Sequence, residues 1–77
     1  MDFDFYINKA IMNIGQLNSG SIFTLKDLFV GTEWNPITPG DRRELGRRFK
    51  YAVRKGNIPN VTFIGKAQNN SSKYRKV

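Results

Sequence analysis

The sequence predicts a single α+β domain over residues 1–77, in which three helices pack against a small antiparallel β-sheet. Three observations predict this class. Apolar residues recur at steps of three and four near the N-terminus and again in residues 39–55, which is typical of amphipathic helices. Residues 61–64 are all β-branched or aromatic, as in strands. Gly, Pro, Asn and Ser separate these segments, as expected of turns.

The first helix is predicted between Phe3 and Leu17, where the apolar residues share one helical face. Asp2 is a suitable N-cap, because its carboxylate can accept a hydrogen bond from the first turn and lies at the positive end of the helix dipole. Residues 18–20, Asn-Ser-Gly, are expected to end this helix.

A short strand and a second helix are predicted next. Residues 21–23 are expected to be extended. Thr24 and Asp27 have the spacing of a capping box, with Asp in place of Glu, and indicate a helix of less than two turns through Val30. Gly31 is expected to end that helix in a left-handed backbone conformation.

The third helix has the clearest signals. It follows a connection over residues 32–37 that shows no periodicity. Thr38 is a good N-cap, and Pro39 fits the first helical position, where its missing N–H costs nothing. The helix is predicted to run to about Lys55, where Gly56 closes it.

The end of the chain predicts a β-hairpin. Residues 61–64 form its first strand, residues 68–72 the turn, and residues 73–77 the returning strand. A lone hairpin is barely stable, so residues 22–23 are expected to join it as a third strand. The order helix, strand, helix, helix, hairpin predicts a winged helix, a helix-turn-helix followed by a two-stranded wing.

Positive charge is concentrated in the second half of the chain. The net charge is +7, yet residues 1–40 carry two Lys or Arg against four carboxylates. Residues 41–77 carry eleven Lys or Arg against two carboxylates. Such a surface attracts polyanions, which include nucleic acid, an anionic membrane face and an acidic protein.

The helix over residues 39–55 is predicted to have two faces at about 100° per residue. The core face consists of Leu45, Phe49, Ala52 and Val53. A basic stripe, with no acidic residue within it, consists of Arg43, Arg47, Lys50 and Arg54. Arginine binds phosphate through a bidentate fork, so we interpret the stripe as nucleic-acid-binding rather than as ordinary solvated surface. Tyr51 lies beside it and is a candidate either for base stacking or for closing the core edge.

The predicted wing repeats this mixture of basic and aromatic residues. Alternation along the returning strand places Lys73 and Arg75 on one face and Tyr74 with Lys76 on the other. With Lys66 on the opposite strand, we interpret Lys66, Lys73 and Arg75 as further nucleic-acid contacts and Tyr74 as a second stacking residue. The alternative is a frayed basic tail.

Two further residues of the helical region are expected to serve the fold. Trp34 is expected in the core or at its edge, because a small domain needs its largest apolar side chain; the alternative is base stacking. Gly46 lies inside a helix, where glycine costs about 1 kcal/mol relative to alanine. Close packing of another helix against it is the expected reason.

The composition argues against an enzyme. The chain has no His and no Cys, which removes the usual bases, thiol nucleophiles and soft-metal ligands, and it has no Gly-rich phosphate loop. We therefore predict no catalytic residue, no cofactor and no metal. No apolar run reaches the length of a membrane span, and the acidic start of the chain is unlike a secretory signal, so a cytoplasmic location is predicted.

Residues 23–29 (FTLKDLF), Trp34 and residues 39–49 (PGDRRELGRRF) resemble a small winged-helix family from mobile elements and phages of low-GC Gram-positive bacteria, known as a domain of unknown function. One branch of that family looks like the single-stranded DNA-binding protein encoded by staphylococcal cassette chromosome elements beside replication genes. The resemblance covers roughly residues 20–65 and implies a winged helix that binds single-stranded DNA. It implies no particular contact residue.

The functional hypothesis is sequence-tolerant binding of single-stranded DNA, in replication of a mobile element or phage. In this hypothesis the basic stripe follows the phosphates and the tyrosines stack on bases. A duplex-binding regulator with residues 39–55 in the major groove is the first alternative, although the connection before that helix is long for a helix-turn-helix. An adaptor that docks a replication protein through the same basic face is the second.

Overall fold

The computed structural model describes residues 1–77 and has the predicted α+β, winged-helix architecture, with three α-helices and one three-stranded antiparallel sheet. In chain order the elements are α1 (Phe3–Ile14), β1 (Ile22–Thr24), a 3₁₀ turn (Lys26–Leu28), α2 (Gly31–Trp34), α3 (Pro39–Arg54), β2 (Val61–Lys66) and β3 (Ser72–Lys76). None of the helices is both long and apolar enough to cross a membrane.

The three strands are arranged in the order β1-β3-β2, and both pairs are antiparallel. The predicted third strand is confirmed, and it pairs with β3 rather than with β2. The last strand of the chain is therefore the centre of the sheet. In this register Tyr74 lies between Phe23 on one side and Phe63 on the other.

The core lies between one face of this sheet and the helices. The central strand contributes Tyr74, which packs against Phe49 of α3 with ring centroids 5.0 Å apart. The thirteen buried residues are all apolar or aromatic: Ala10, Ile14, Phe23, Leu25, Leu28, Phe29, Trp34, Ile37, Leu45, Phe49, Val53, Ile58 and Tyr74. Trp34 stacks on Phe29 at 6.0 Å, which confirms its predicted place in the core.

Helix α1 begins as predicted and ends one turn early. The Asp2 carboxylate accepts a hydrogen bond of 3.0 Å from the backbone N–H of Phe5. At the other end, Lys76 Nζ donates hydrogen bonds to the backbone carbonyls of Ile14 (3.0 Å) and Leu17 (2.6 Å). A cation at the carbonyl end of a helix is favourable, and here it binds the carbonyl of the last helical residue and one carbonyl of the turn that follows.

The segment after β1 differs from the prediction. Its helix is only a 3₁₀ turn, although Asp27 does accept a hydrogen bond of 2.9 Å from the backbone N–H of Thr24. Gly31 begins helix α2 instead of ending a helix, and it has no left-handed conformation. Glu33 explains this start, because its carboxylate accepts a hydrogen bond of 3.3 Å from the N–H of Val30, just before the first turn.

Helix α3 confirms the prediction for residues 39–55 to within one residue. The Thr38 hydroxyl accepts a hydrogen bond of 3.2 Å from the N–H of Asp41, and Pro39 occupies the first turn. Leu45, Phe49 and Val53 are buried, so the core face is also confirmed. The opposite face of α3 is consequently free to form one wall of a cleft.

Candidate nucleic-acid interface

A cleft of about 580 Å³ opens between α3, the end of β1 and the turn that joins β2 to β3. Six cationic residues line this basic cleft: Lys26, Arg42, Arg43, Arg47, Lys50 and Lys66. Its other polar residues are neutral, and no carboxylate lines it. Three separate segments thus bring positive charge to one concave surface, which raises the local potential for an anion.

Helix α3 supplies four of the six cations. Arg43, Arg47 and Lys50 of the predicted stripe all line the basic cleft. Arg54, the fourth predicted residue, does not. It lies one turn beyond, next to Val61 and Thr62 at the start of β2, and is exposed.

Lys66 reaches the cleft because of a β-bulge. Phe63 packs against the core, so strict alternation would turn Lys66, three residues later, to the opposite side of the sheet. The register of β2 against β3 shifts by one residue between Phe63 and Gly65, which brings Lys66 back to the core side, opposite Ser72. Gly65 has a φ of +127°, a conformation that favours glycine.

Lys50 and Arg42 are each positioned by an aromatic ring. Lys50 Nζ lies 4.4 Å from the centroid of the Phe63 ring, and the Arg42 guanidinium lies 5.2 Å from that of Trp34. Arg42 also donates hydrogen bonds to the backbone carbonyls of Trp34 (3.3 Å) and Asn35 (3.4 Å). Cation–π contacts of this kind hold the side chains in place without neutralising their positive charge.

Sequence reasoning missed two of the six cations. Arg42 falls near the core face of α3 by helical position, so it was not part of the stripe. Its Nε atom is buried and has no hydrogen-bond partner in the protein. Lys26 is on the 3₁₀ turn and is brought to the cleft only by the pairing of β1 with β3. The spacing of Arg42 from Leu45 could have predicted that Arg42 lies at the edge of the core. No local sequence signal predicts that Lys26 lines the cleft.

Glu44 partly neutralises one of these cations. Its carboxylate accepts two hydrogen bonds from Arg47, at 3.1 Å from Nε and 2.6 Å from Nη2, and one of 2.7 Å from Arg48 Nε. The hydrogen bonds from Arg47 and then Arg48 hold the pKa of Glu44 at about 2. Arg47 therefore faces the cleft with a competing anion already bound, in contrast to Arg43 and Lys50.

The structure overturns the stacking role predicted for Tyr74. Only 1% of the residue is exposed, and its ring is enclosed by Phe23, Phe49 and Phe63, with centroids 5.0 to 5.9 Å away. Burial raises the pKa of its hydroxyl. Tyr74 is among the residues that line the cleft, but too little of it is exposed for a base to stack on its ring, because the tyrosine lies on the central strand and its side chain meets α3.

Tyr51, the other predicted stacking residue, is 62% exposed. It lies outside the basic cleft, about 140° around α3 from Gly46 at about 100° per residue. Lys55 Nζ is 5.5 Å from the centroid of its ring. The ring is therefore accessible, and it lies one turn after Arg47, just outside the cleft.

Lys73 and Arg75 lie on a different surface from the cleft. They flank the buried Tyr74 in β3, so their side chains are on the outer side of the sheet, as alternation predicts. Arg75 is opposite Ile22 in β1 and Thr62 in β2, and all three are exposed. We refer to Ile22, Thr62, Lys73 and Arg75 as the sheet face.

Gly46 lines the basic cleft, and the expected helix packing against it is absent. A Cβ atom added at Gly46 would meet no heavy atom within 4 Å. The prediction of a close helix contact is therefore wrong, because the neighbouring elements leave this side of α3 open.

A family model described as a domain of unknown function (DUF1413) matches residues 8–76. No curated protein sequence matches the chain. A solved structure, "SCCmec type IV LP1413 - nucleic acids binding protein", is similar at 29% identity, covering 97% of this chain and 86% of that chain, with a TM-score of 0.72. The match extends from α1 to β3 and so includes every segment that lines the basic cleft. Because it covers most of the chain, this chain belongs to the DUF1413 family.

Proposed function

We propose that this protein binds single-stranded DNA in the basic cleft, with little dependence on base sequence. The observation that carries the proposal is the convergence of six cations, and no carboxylate, on one concave surface. When these side chains neutralise the phosphates of a bound strand, the counterions condensed on that strand are released, which is the main source of affinity in sequence-independent binding.

The similar solved structure supports nucleic acid over the other polyanions. That protein is described as a nucleic-acid-binding protein, and it shares this fold over 97% of the present chain. Three of the six cations are arginines, whose planar fork matches phosphate oxygens and can also stack on bases.

The shape of the site favours an unpaired strand. A duplex reader places its recognition helix in a major groove about 12 Å wide, with base-reading side chains on the exposed side of that helix. Here the α3 residues in the cleft are four cations and Gly46, and the β2–β3 turn stands opposite them. A single strand can enter such a cleft, where the charged wall of α3 offers phosphate contacts.

We further propose that binding serves replication of a mobile element or phage. The similarity to a protein described as belonging to SCCmec type IV supports this role. So does the resemblance to a family of which one branch looks like a protein encoded beside replication genes. We also propose a cytoplasmic location and no enzymatic activity, both of which accord with this role.

The test is a titration of labelled single strands and duplexes of equal length at two salt concentrations. With four to six cations on the strand, log K should fall with log salt at a slope of roughly −3 to −4, from about −0.7 per contact. Tighter binding of the duplex at matched salt would favour the duplex-binding regulator. Binding to an acidic protein, with none to either oligonucleotide, would favour the adaptor.

A further inference from the structure

Gly46 occupies a position where the fold gives glycine no advantage. It is in the interior of the sixteen-residue helix α3, where glycine is unfavourable relative to alanine. Its backbone has no positive φ, so no turn or cap requires it. A Cβ atom at this position would meet nothing within 4 Å, so no packed neighbour requires it either.

The surroundings of Gly46 are those of a ligand contact. It lines the basic cleft together with Arg42 and Lys50, one turn before and one turn after it on the same side of α3. Arg43 and Arg47 lie next to this row and also line the cleft. The gap in the wall left by the missing side chain is thus surrounded by four cations.

Gly46 is at the lowest point of that wall, because it alone among the α3 residues of the cleft has no side chain. The cations around it can reach phosphates on either side of a strand that lies against the helix. Glycine is used where a backbone must approach a ligand closely, since any Cβ would hold the ligand away.

We propose that the bound strand crosses α3 at Gly46, with its sugar–phosphate backbone in direct contact with the helix backbone. This inference rests on the proposed function and adds the point of closest approach. A methyl group at residue 46 would lift the strand from the helix, and a gap of even 0.5–1 Å forfeits a quarter to a half of each van der Waals contact. The cations would remain, so the number of phosphate contacts would not change.

The experiment compares Gly46→Ala and Gly46→Leu with Gly40→Ala and Gly40→Leu. Gly40 is the matched control: it is in the first turn of α3, a Cβ there would also meet nothing within 4 Å, and it does not line the cleft. Each protein is titrated with a labelled oligothymidylate strand at two salt concentrations, and its melting temperature is measured.

Gly46→Ala should raise the melting temperature by about 4–8 °C, because alanine is the better helix residue. The same variant should weaken strand binding by about tenfold, and Gly46→Leu by more, with the salt slope unchanged. The Gly40 variants should bind within about twofold of the wild type. A gain in stability together with a loss of affinity is not expected from a residue that serves only the fold.

Three results would overturn the proposal. If Gly46→Ala binds like the wild type while Arg43→Ala binds weakly, the crossing point is wrong and the proposed function stands. If Gly46→Ala lowers the melting temperature, glycine is needed for the fold. If the wild type binds no single strand at all, the proposed function fails and the crossing point fails with it.

Discussion

The basic cleft and the sheet face both carry lysine and arginine, but they differ in shape and in the origin of their charges. The cleft gathers six cations from α3, the 3₁₀ turn and β2 on a concave surface. The sheet face presents only Lys73 and Arg75, on one strand, beside the exposed Ile22 and Thr62. Both surfaces are positively charged, but only in the cleft do the positive charges come from several separate segments of the chain.

The two surfaces are separated by a single strand. In β3, Tyr74 points to the core and its two neighbours point outward, so the strand that carries the sheet face also supports the cleft. This arrangement allows each surface to be altered without touching the other, provided that Tyr74 is left in place.

The largest effect is expected from Tyr74→Ala. Removing the ring from between Phe23, Phe49 and Phe63 should cost about 3–5 kcal/mol of the free energy of unfolding, a large part of the about 5–15 kcal/mol that a domain has. Chemical denaturation followed by circular dichroism measures this loss. Tyr74→Phe keeps the ring and should cost far less. If Tyr74→Ala remains fully stable and loses only DNA binding, the ring is a contact residue after all.

The next largest effect separates the two surfaces. Arg43→Ala with Lys50→Ala should reduce the salt slope by about 1.4, from about 0.7 for each phosphate contact, and weaken binding about 25-fold at 0.1 M salt. Lys73→Ala with Arg75→Ala removes the same charge from the sheet face and should change the slope by less than about 0.3. Equal losses for the two double variants would mean that net charge, not the cleft, determines affinity.

Tyr51→Ala is expected to have a smaller effect. Its exposed ring lies one turn after Arg47, just outside the cleft, where a strand that leaves the cleft over α3 would bring a base. Stacking on one ring contributes about 1–3 kcal/mol, so the alanine variant should bind about tenfold more weakly with an unchanged salt slope. Tyr51→Phe should bind like the wild type. If Tyr51→Ala binds with wild-type affinity, the strand does not contact Tyr51 and lies only in the cleft.

The smallest change in binding is expected from Glu44→Gln. The variant frees the Arg47 guanidinium from its carboxylate partner, so the salt slope should become steeper by about 0.7 and binding at 0.1 M salt about fivefold tighter. Glu33→Gln, which removes a carboxylate outside the cleft, is the control. Unchanged affinity in Glu44→Gln would show that Arg47 makes no phosphate contact.

The same carboxylate gives a pH dependence of stability. The pKa of Glu44 is lowered in the folded protein to about 2 from 4.5, so its ion pairs stabilise the fold above about pH 4.5 and this contribution is lost as the pH falls toward 2. In Glu44→Gln the melting temperature should fall less between pH 5 and pH 2 than in the wild type. Identical falls in the two proteins would contradict the lowered pKa.

Much of the helical half of the molecule could be predicted from the sequence, because its signals are local. The cap at Thr38, the proline after it and the spacing of Leu45 and Phe49 are all contained within α3, and they give both its limits and its core face. The start of α2 at Gly31 was missed because glycine is a common helix terminator, whereas here the carboxylate of Glu33 caps the preceding residue.

The cleft itself depends on pairings that no local pattern contains. Alternation correctly placed Arg75 and Tyr74 on opposite faces of the sheet, but only the sheet order puts Tyr74 on the central strand and so in the core. Lys66 faces the cleft because one extra residue in β2 reverses the alternation, and Lys26 because β1 pairs with β3. Pairing between strands that are far apart in the sequence therefore decides which cations lie together in the cleft.

The central claim is that a single strand lies in the basic cleft and not on the sheet face. Titrating an unlabelled oligothymidylate strand into ¹⁵N-labelled protein, with amide resonances followed by NMR, locates the bound strand residue by residue. The amides of Gly46, Arg47 and residues 69–72 should shift, while those of Thr62 and Arg75 should stay in place. Shifts centred on Thr62 and Arg75, with Gly46 unmoved, would contradict the account.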